Sequence, residues 1–200
     1  GENIAAGRWT EAQRDRIRTS RARGTEAIAR AVAEAPDGPT VLLSASAIGI
    51  YGHRGDETLT ESSAPGAGFL PEVASAWEAA TRPAAEAGVR TVLTRFGLVL
   101  TPAGGALGRM LLPFSLGGGA PLGHGGQWMS WISIDDCAAA LIHLLHTGID
   151  GAVNLVAPEP VTNRTFTDTL GAVLRRPTFL PGIPAAVLRL AFGEMADGAL

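Results

Sequence analysis

Residues 40–52 read TVLLSASAIGIYG and residues 89–100 read VRTVLTRFGLVL. The first opens with a short apolar run, TVLLSA, rich enough to be buried on both faces as a parallel strand in a helix-covered sheet must be, and ending at the serines; the second is the next buried strand. Between them Val73, Trp77 and Ala80 recur on one side of an expected helix from Leu70 to Ala87, closed by Gly88. Strand, helix, strand at this spacing is a βαβ unit, whose crossover is nearly always right-handed. The expected class is α/β.

Outward from this unit the pattern continues. Upstream, Thr10 with Gln13 reads as a capping box opening a helix from Glu11 to Ala35, with Ile17, Ile28 and Val32 as its buried stripe and PDGP (36–39) as its stop. Residues 52–68 are polar, with Gly and Pro, and read as a loop. Downstream, a helix from Gly105 to Phe114 leads into a glycine-rich turn that has neither the P-loop nor the dinucleotide fingerprint. Ser133 with Asp136 caps a helix that ends near His146, GAVNLVAP (151–158) is another strand, and VTNRTFTDTLGAVLRRP (161–177) is a capped helix with Phe166, Leu170, Val173 and Leu174 on one face.

The 200 residues suit one domain, or one and part of another, and the 46% hydrophobic content is ample for a core. A net charge of −3 with both signs interspersed supplies no basic field for nucleic acid. No apolar run approaches the roughly 20 residues that span a bilayer, and no secretory signal opens the chain. The lone Cys137 has no internal disulfide partner, which fits a cytoplasmic location. All 16 basic residues are arginine, so lysine chemistry is excluded from these residues.

Ligands of open parallel sheets bind at the carboxyl ends of the strands. Ser44 and Ser46 stand at one such end, and Arg95 and Gly97 at the next, so one crevice is expected to gather all four. Ser46 can donate to a carbonyl or alkoxide oxygen, and Tyr51, the only tyrosine, can deliver a proton if a cation stands beside it. Both are candidate catalytic residues, with a pocket or packing role as the alternative for Tyr51 and turn geometry as the alternative for Ser46. Trp128 and Trp131 either stack on a sugar or base of the substrate or fill a core. His143 and His146 lie three apart on a helix, but no further ligand completes a set, so no metal site is expected. Asp135 and Asp136 complement a helix dipole.

Taken together, GENIAAGRW, SRARGT, SASAIGIYG, FLPEVASAWEAA, TRFGLVLTPAGGAL, PFSLGGGAPLGHGGQWMSWISIDD, GAVNLVAPEPVTN and LRLAFGEMAD resemble the extended short-chain dehydrogenases/reductases, in particular the NAD-dependent epimerase/dehydratase-like group with an atypical active site. The resemblance covers the whole chain. It implies the C-terminal part of a Rossmann-like doubly wound parallel sheet with a small α+β substrate-side region, residues 1–178, followed by the start of a C-terminal module, residues 179–200. It implies NADP or NAD as cofactor and epimerase, dehydratase or reductase chemistry on a small hydroxylated or carbonyl substrate such as a nucleotide sugar. The alternative is a catalytically attenuated dinucleotide-binding module.

By the same resemblance Gly1, Glu2 and Asn3 match the turn after the fourth strand, so the chain is expected to be an internal segment with an unpaired sheet edge that folds poorly alone. Gly1 and Glu2 are expected at the cofactor, Arg21 at the dinucleotide, and Val99, with Arg95 and Gly97, beside the nicotinamide. The family's catalytic tyrosine and lysine fall on Phe69 or Leu70 and on Val73 or Ala74, none of which moves a proton. Ser133 stands where the pattern usually has histidine.

Overall fold

A computed structural model of the chain describes residues 1–4 and 9–193. In chain order its elements are α1 (Glu11–Glu34), β1 (Val41–Ala47), α2 (Phe69–Ala79), α3 (Arg82–Glu86), β2 (Arg90–Phe96), β3 (Leu98–Leu100), α4 (Gly105–Ser115), β4 (Trp128–Met129), β5 (Trp131–Ser133), α5 (Ile134–His146), β6 (Gly151–Leu155), β7 (Val161–Thr162), α6 (Asn163–Leu174) and α7 (Ala185–Phe192). They form two compact units, one of Gly1–Phe96 and Ala138–Leu155, the other of Gly97–Cys137 and Val156–Leu200. The chain leaves the first unit after β2 and re-enters it within α5. Residues 194–200 of the expected C-terminal module lie outside the described residues.

The first unit holds a parallel sheet in the order β1-β2-β6. Its βαβ unit is the expected one, with Ser46 opposite Arg95 and Arg95 opposite Asn154 in register. Two details of β1 and α1 differ from expectation. Ser44 and Ser46 are buried while Ala45 between them is exposed, so β1 is not covered on both faces. On α1, Ile17 and Ala29 are fully buried but Ile28 is 58% exposed, since its position falls off the stripe that faces α2 and α3.

Thr10 caps α1 by accepting from the Gln13 amide N–H, but the Gln13 side chain donates to Glu2 Oε1 and does not reach back. The helix expected over 70–87 is two helices. Thr81 donates its hydroxyl to the Glu78 carbonyl, and Pro83 has no N–H to continue the ladder, so the chain turns between α2 and α3. Both helices of the α1/α2 pair run the same way: contacts link Arg14 with Phe69, Arg18 with Glu72, and Arg21 and Thr25 with Trp77.

The second unit contains the parallel pair β3-β5 and the antiparallel pair β4-β7. Phe114, Phe166 and Leu170 form its buried cluster, with Leu174 packed against it, whereas Val173 is 73% exposed and does not share that face. The strand expected over 89–100 breaks at Gly97, which lies so close to the Ser130 carbonyl that β3 departs into the second sheet. The caps on α5 and α6 are as read: Ser133 Oγ accepts from Asp136 N–H, and Thr162 Oγ1 from Thr165 N–H. Among the described residues no helix is long and apolar enough to cross a membrane, and no three potential metal ligands cluster.

Candidate functional site

The carboxyl ends of β1, β2 and β6 bring Ser46, Arg95 and Asn154 side by side, and a residue of α2 joins them. Glu78 Oε1 accepts from Ser46 Oγ at 2.6 Å and from Arg95 Nε at 2.8 Å, and Glu78 Oε2 accepts from Arg95 Nη2 at 2.9 Å. The pair is a two-toothed guanidinium–carboxylate fork, the strongest common form of ion pair. Arg95 Nη1 donates to the Tyr51 hydroxyl at 2.9 Å and to the Glu61 carbonyl at 3.1 Å, with the guanidinium also 5.2 Å from the Tyr51 ring centre. Tyr51 donates to Asn154 Oδ1 at 2.7 Å, and the Asn154 main-chain N–H donates to Glu61 Oε1 at 2.8 Å.

This cluster is buried: Ser46 is 2% and Arg95 7% exposed. The Arg95 guanidinium is held well above the ordinary arginine value, first by its hydrogen bonds to Glu78 and, against the opposing effect of burial, also by Tyr51. A buried charge is tolerated only when paired and hydrogen-bonded, and here Nε and both terminal nitrogens have acceptors. Ser46 and Arg95 do meet in register at the strand tips, as expected. They do not open into a cleft, because Glu78 bridges them. The fork of Arg95 is therefore not available to a phosphate, and the hydroxyl proton of Ser46 points at a carboxylate.

Local structure explains the arrangement. After β1 a single 3-10 turn, Ile48–Tyr51, drives Ile50 and Tyr51 inward against Ala74. The following loop comes back over them: Gly66 N–H donates to the Ile50 carbonyl, and a Cβ on Gly66 would overlap the Tyr51 main-chain carbonyl. Phe69, at the start of α2, packs edge-on to Trp9 at 5.0 Å and beneath the Arg14 guanidinium at 5.1 Å. Val73 is 5% exposed and Ala74 is buried, so the positions that align with the family's ammonium lie inside the core.

Gly1, Glu2 and Arg21 form a second group in the same unit. Arg21 Nη1 donates to the Glu2 and Ile17 carbonyls, and its guanidinium lies over the Trp77 ring. A Cβ on Gly1 would come within 3.1 Å of the Arg21 side chain. Burial lowers the Arg21 pKa and nearby Glu2 raises it. Ser44 is buried, its carbonyl accepting from Thr94 Oγ1 at 3.0 Å.

The remaining sequence candidates belong to the second unit. Val99 pairs with Ile132 in the β3-β5 sheet. Gly97 has Ser130 and Val156 where a side chain would be. Trp131 donates its indole N–H to the Glu159 carbonyl, while Trp128 is half exposed on β4. Three members of the strand-end cluster were not foreseen: Glu78, Asn154 and Glu61. The signal for Glu78 was present, since it is a carboxylate four residues after Ala74 on an apolar stripe, and Arg95 is a charge toward the end of a mostly uncharged strand. Each requires a partner.

The chain matches the NAD dependent epimerase/dehydratase family over residues 2–156. It is 47% identical to an epimerase family protein of Mycobacterium tuberculosis, over 100% of this chain and 66% of that relative. Among solved structures it resembles human epimerase family protein SDR39U1 with NADPH, with a TM-score of 0.95 and 37% identity over 100% of this chain and 69% of the human one. It also resembles a nucleoside-diphosphate sugar epimerase from Corynebacterium glutamicum, with a TM-score of 0.75 and 37% identity over 96% of this chain and 43% of that one.

Proposed function

The chain belongs to the NAD dependent epimerase/dehydratase family, and on that premise we propose that the protein binds NADP or NAD and acts as an epimerase, dehydratase or reductase on a small hydroxylated or carbonyl substrate, such as a nucleotide sugar, in the cytoplasm. What carries the reading is the convergence of three parallel strand ends, the usual ligand position of such sheets, in a chain whose human relative was solved with NADPH.

The residues present fit part of such a cofactor. Arg21 has Nε and Nη2 without a hydrogen-bond partner among the described residues, and its partly buried cation gains from an anion. Arg21, beside Gly1 and Glu2, would hold a phosphate or ribose group through its remaining nitrogens. The nicotinamide, when bound, supplies the hydride acceptor and donor. The chain's own part is to orient the substrate.

A second reading, a dinucleotide-binding module with attenuated turnover, is favoured by one observation: both candidate catalytic hydroxyls, Ser46 and Tyr51, donate inward, to Glu78 and Asn154. Calorimetric titration with NADPH and NADH, followed by nicotinamide oxidation across a panel of aldehydes, ketones and sugar nucleotides, separates the two. Turnover that collapses in Ser46→Ala supports the enzyme. Binding without turnover, unchanged by Ser46→Ala and Tyr51→Phe, supports the module, and absence of any binding refutes both.

A further inference from the structure

We infer that Glu78 is a positioning residue: it aims Arg95, and through Arg95 it fixes the Tyr51 hydroxyl and anchors the 52–68 loop over the strand ends. The argument is geometric. A guanidinium is planar, so once Nε and Nη2 are held by the two oxygens of one carboxylate, the direction of Nη1 is set. That direction is toward the Tyr51 hydroxyl and the Glu61 carbonyl.

The Tyr51 oxygen accepts from Arg95, and its proton goes to Asn154 Oδ1. The Asn154 main-chain N–H closes a ring by donating to the Glu61 carboxylate. The ring Arg95, Tyr51, Asn154, Glu61 ties one loop to β2 and β6 at the tips where the proposed ligand binds. Among the described residues Glu78 hydrogen-bonds it to α2 and, through Ser46, to β1. The loop is also held by Arg54 with Glu57, Thr60 with Ser63, and Gly66 N–H with the Ile50 carbonyl.

Because Tyr51 is the only tyrosine, protein made with 3-fluorotyrosine has one fluorine resonance, which reads the ring directly. Trypsin cleavage after Arg54 reads the loop. The NADPH dissociation constant reads the ligand, and this last readout rests on the proposed function. The informative variant is Glu78→Met with Arg95→Met, since replacing a buried pair by apolar side chains of similar length commonly preserves the fold.

We expect this variant to melt cooperatively while its fluorine line shifts by more than its width, cleavage after Arg54 quickens at least tenfold and NADPH binding weakens at least tenfold. If it does not fold, Glu78→Gln, which keeps shape but not charge, is expected to shift the same line. An unchanged fluorine line with unchanged cleavage in a folded variant overturns the inference, leaving the pair as packing alone. A shifted line and faster cleavage with unaltered NADPH affinity supports the positioning role and refutes the cofactor's placement at these strand ends.

Discussion

Gly97→Ala separates a packing role from a cofactor role at a residue that the sequence marks for the nicotinamide. Alanine is allowed by the backbone there, because Gly97 is not among the glycines with positive φ. Its Cβ, however, would lie 2.6 Å from the Ser130 oxygen and 2.8 Å from Val156 Cγ1, and the first of these is main chain and cannot rotate away. The same carbonyl accepts from Leu98 N–H at 2.8 Å, so relieving the clash stretches the bond that starts β3. Overpacking of this kind costs about 1–3 kcal/mol. For a chain of this size about 2–4 °C of melting temperature accompanies each kcal/mol, which gives a fall of about 2–12 °C. Thermal melting without any nucleotide is the assay. An unchanged melting temperature combined with weakened NADPH affinity would refute the packing argument and make Gly97 a residue of cofactor approach.

Other perturbations read other parts of the molecule. Arg90 donates to the carbonyls of Leu144, Leu145 and Ile149, closing the end of α5, so Arg90→Met should cost about 1–2 kcal/mol. Hydrogen exchange should quicken in the last turn of α5, and uniform protection would contradict that role. Val73→Lys, which places an ammonium where the family alignment has one, should destabilise by about 3–5 kcal/mol because the site is core and has no partner for a charge; a denaturant midpoint equal to wild type would show that the side chain escapes to water. Burial pushes the Cys137 thiol up, so the unfolded chain loses this proton first and stability should decline as pH rises above the ordinary thiol range. Iodoacetamide at pH 8 should label the native protein at least a hundredfold more slowly than the unfolded chain, and rapid native labelling would be inconsistent with a buried thiol.

Legibility followed the range of the interaction. The α/β class, the β1-helix-β2 unit and the cap at Ser133 were readable, because strand burial and capping depend on residues a few positions apart. The exposure of Ile28 and Val173 was not, since it depends on which neighbour each helix meets. Nor was the strand break at Gly97, which comes from a carbonyl 33 positions away in the chain.

At the strand ends the contrast is sharpest. Residue order alone established that Ser46 and Arg95 would lie at neighbouring tips, and that none of these 200 residues is a lysine that could assist a tyrosine. Whether those side chains face a ligand or one another was set by contacts far apart in sequence: Ser46 with Glu78, 32 residues away, and Tyr51 with Asn154, 103 residues away. A buried charge takes whichever partner folding brings within reach. Here the partner of Arg95 came from α2 and also took the Ser46 proton, while Asn154 of β6 took that of Tyr51.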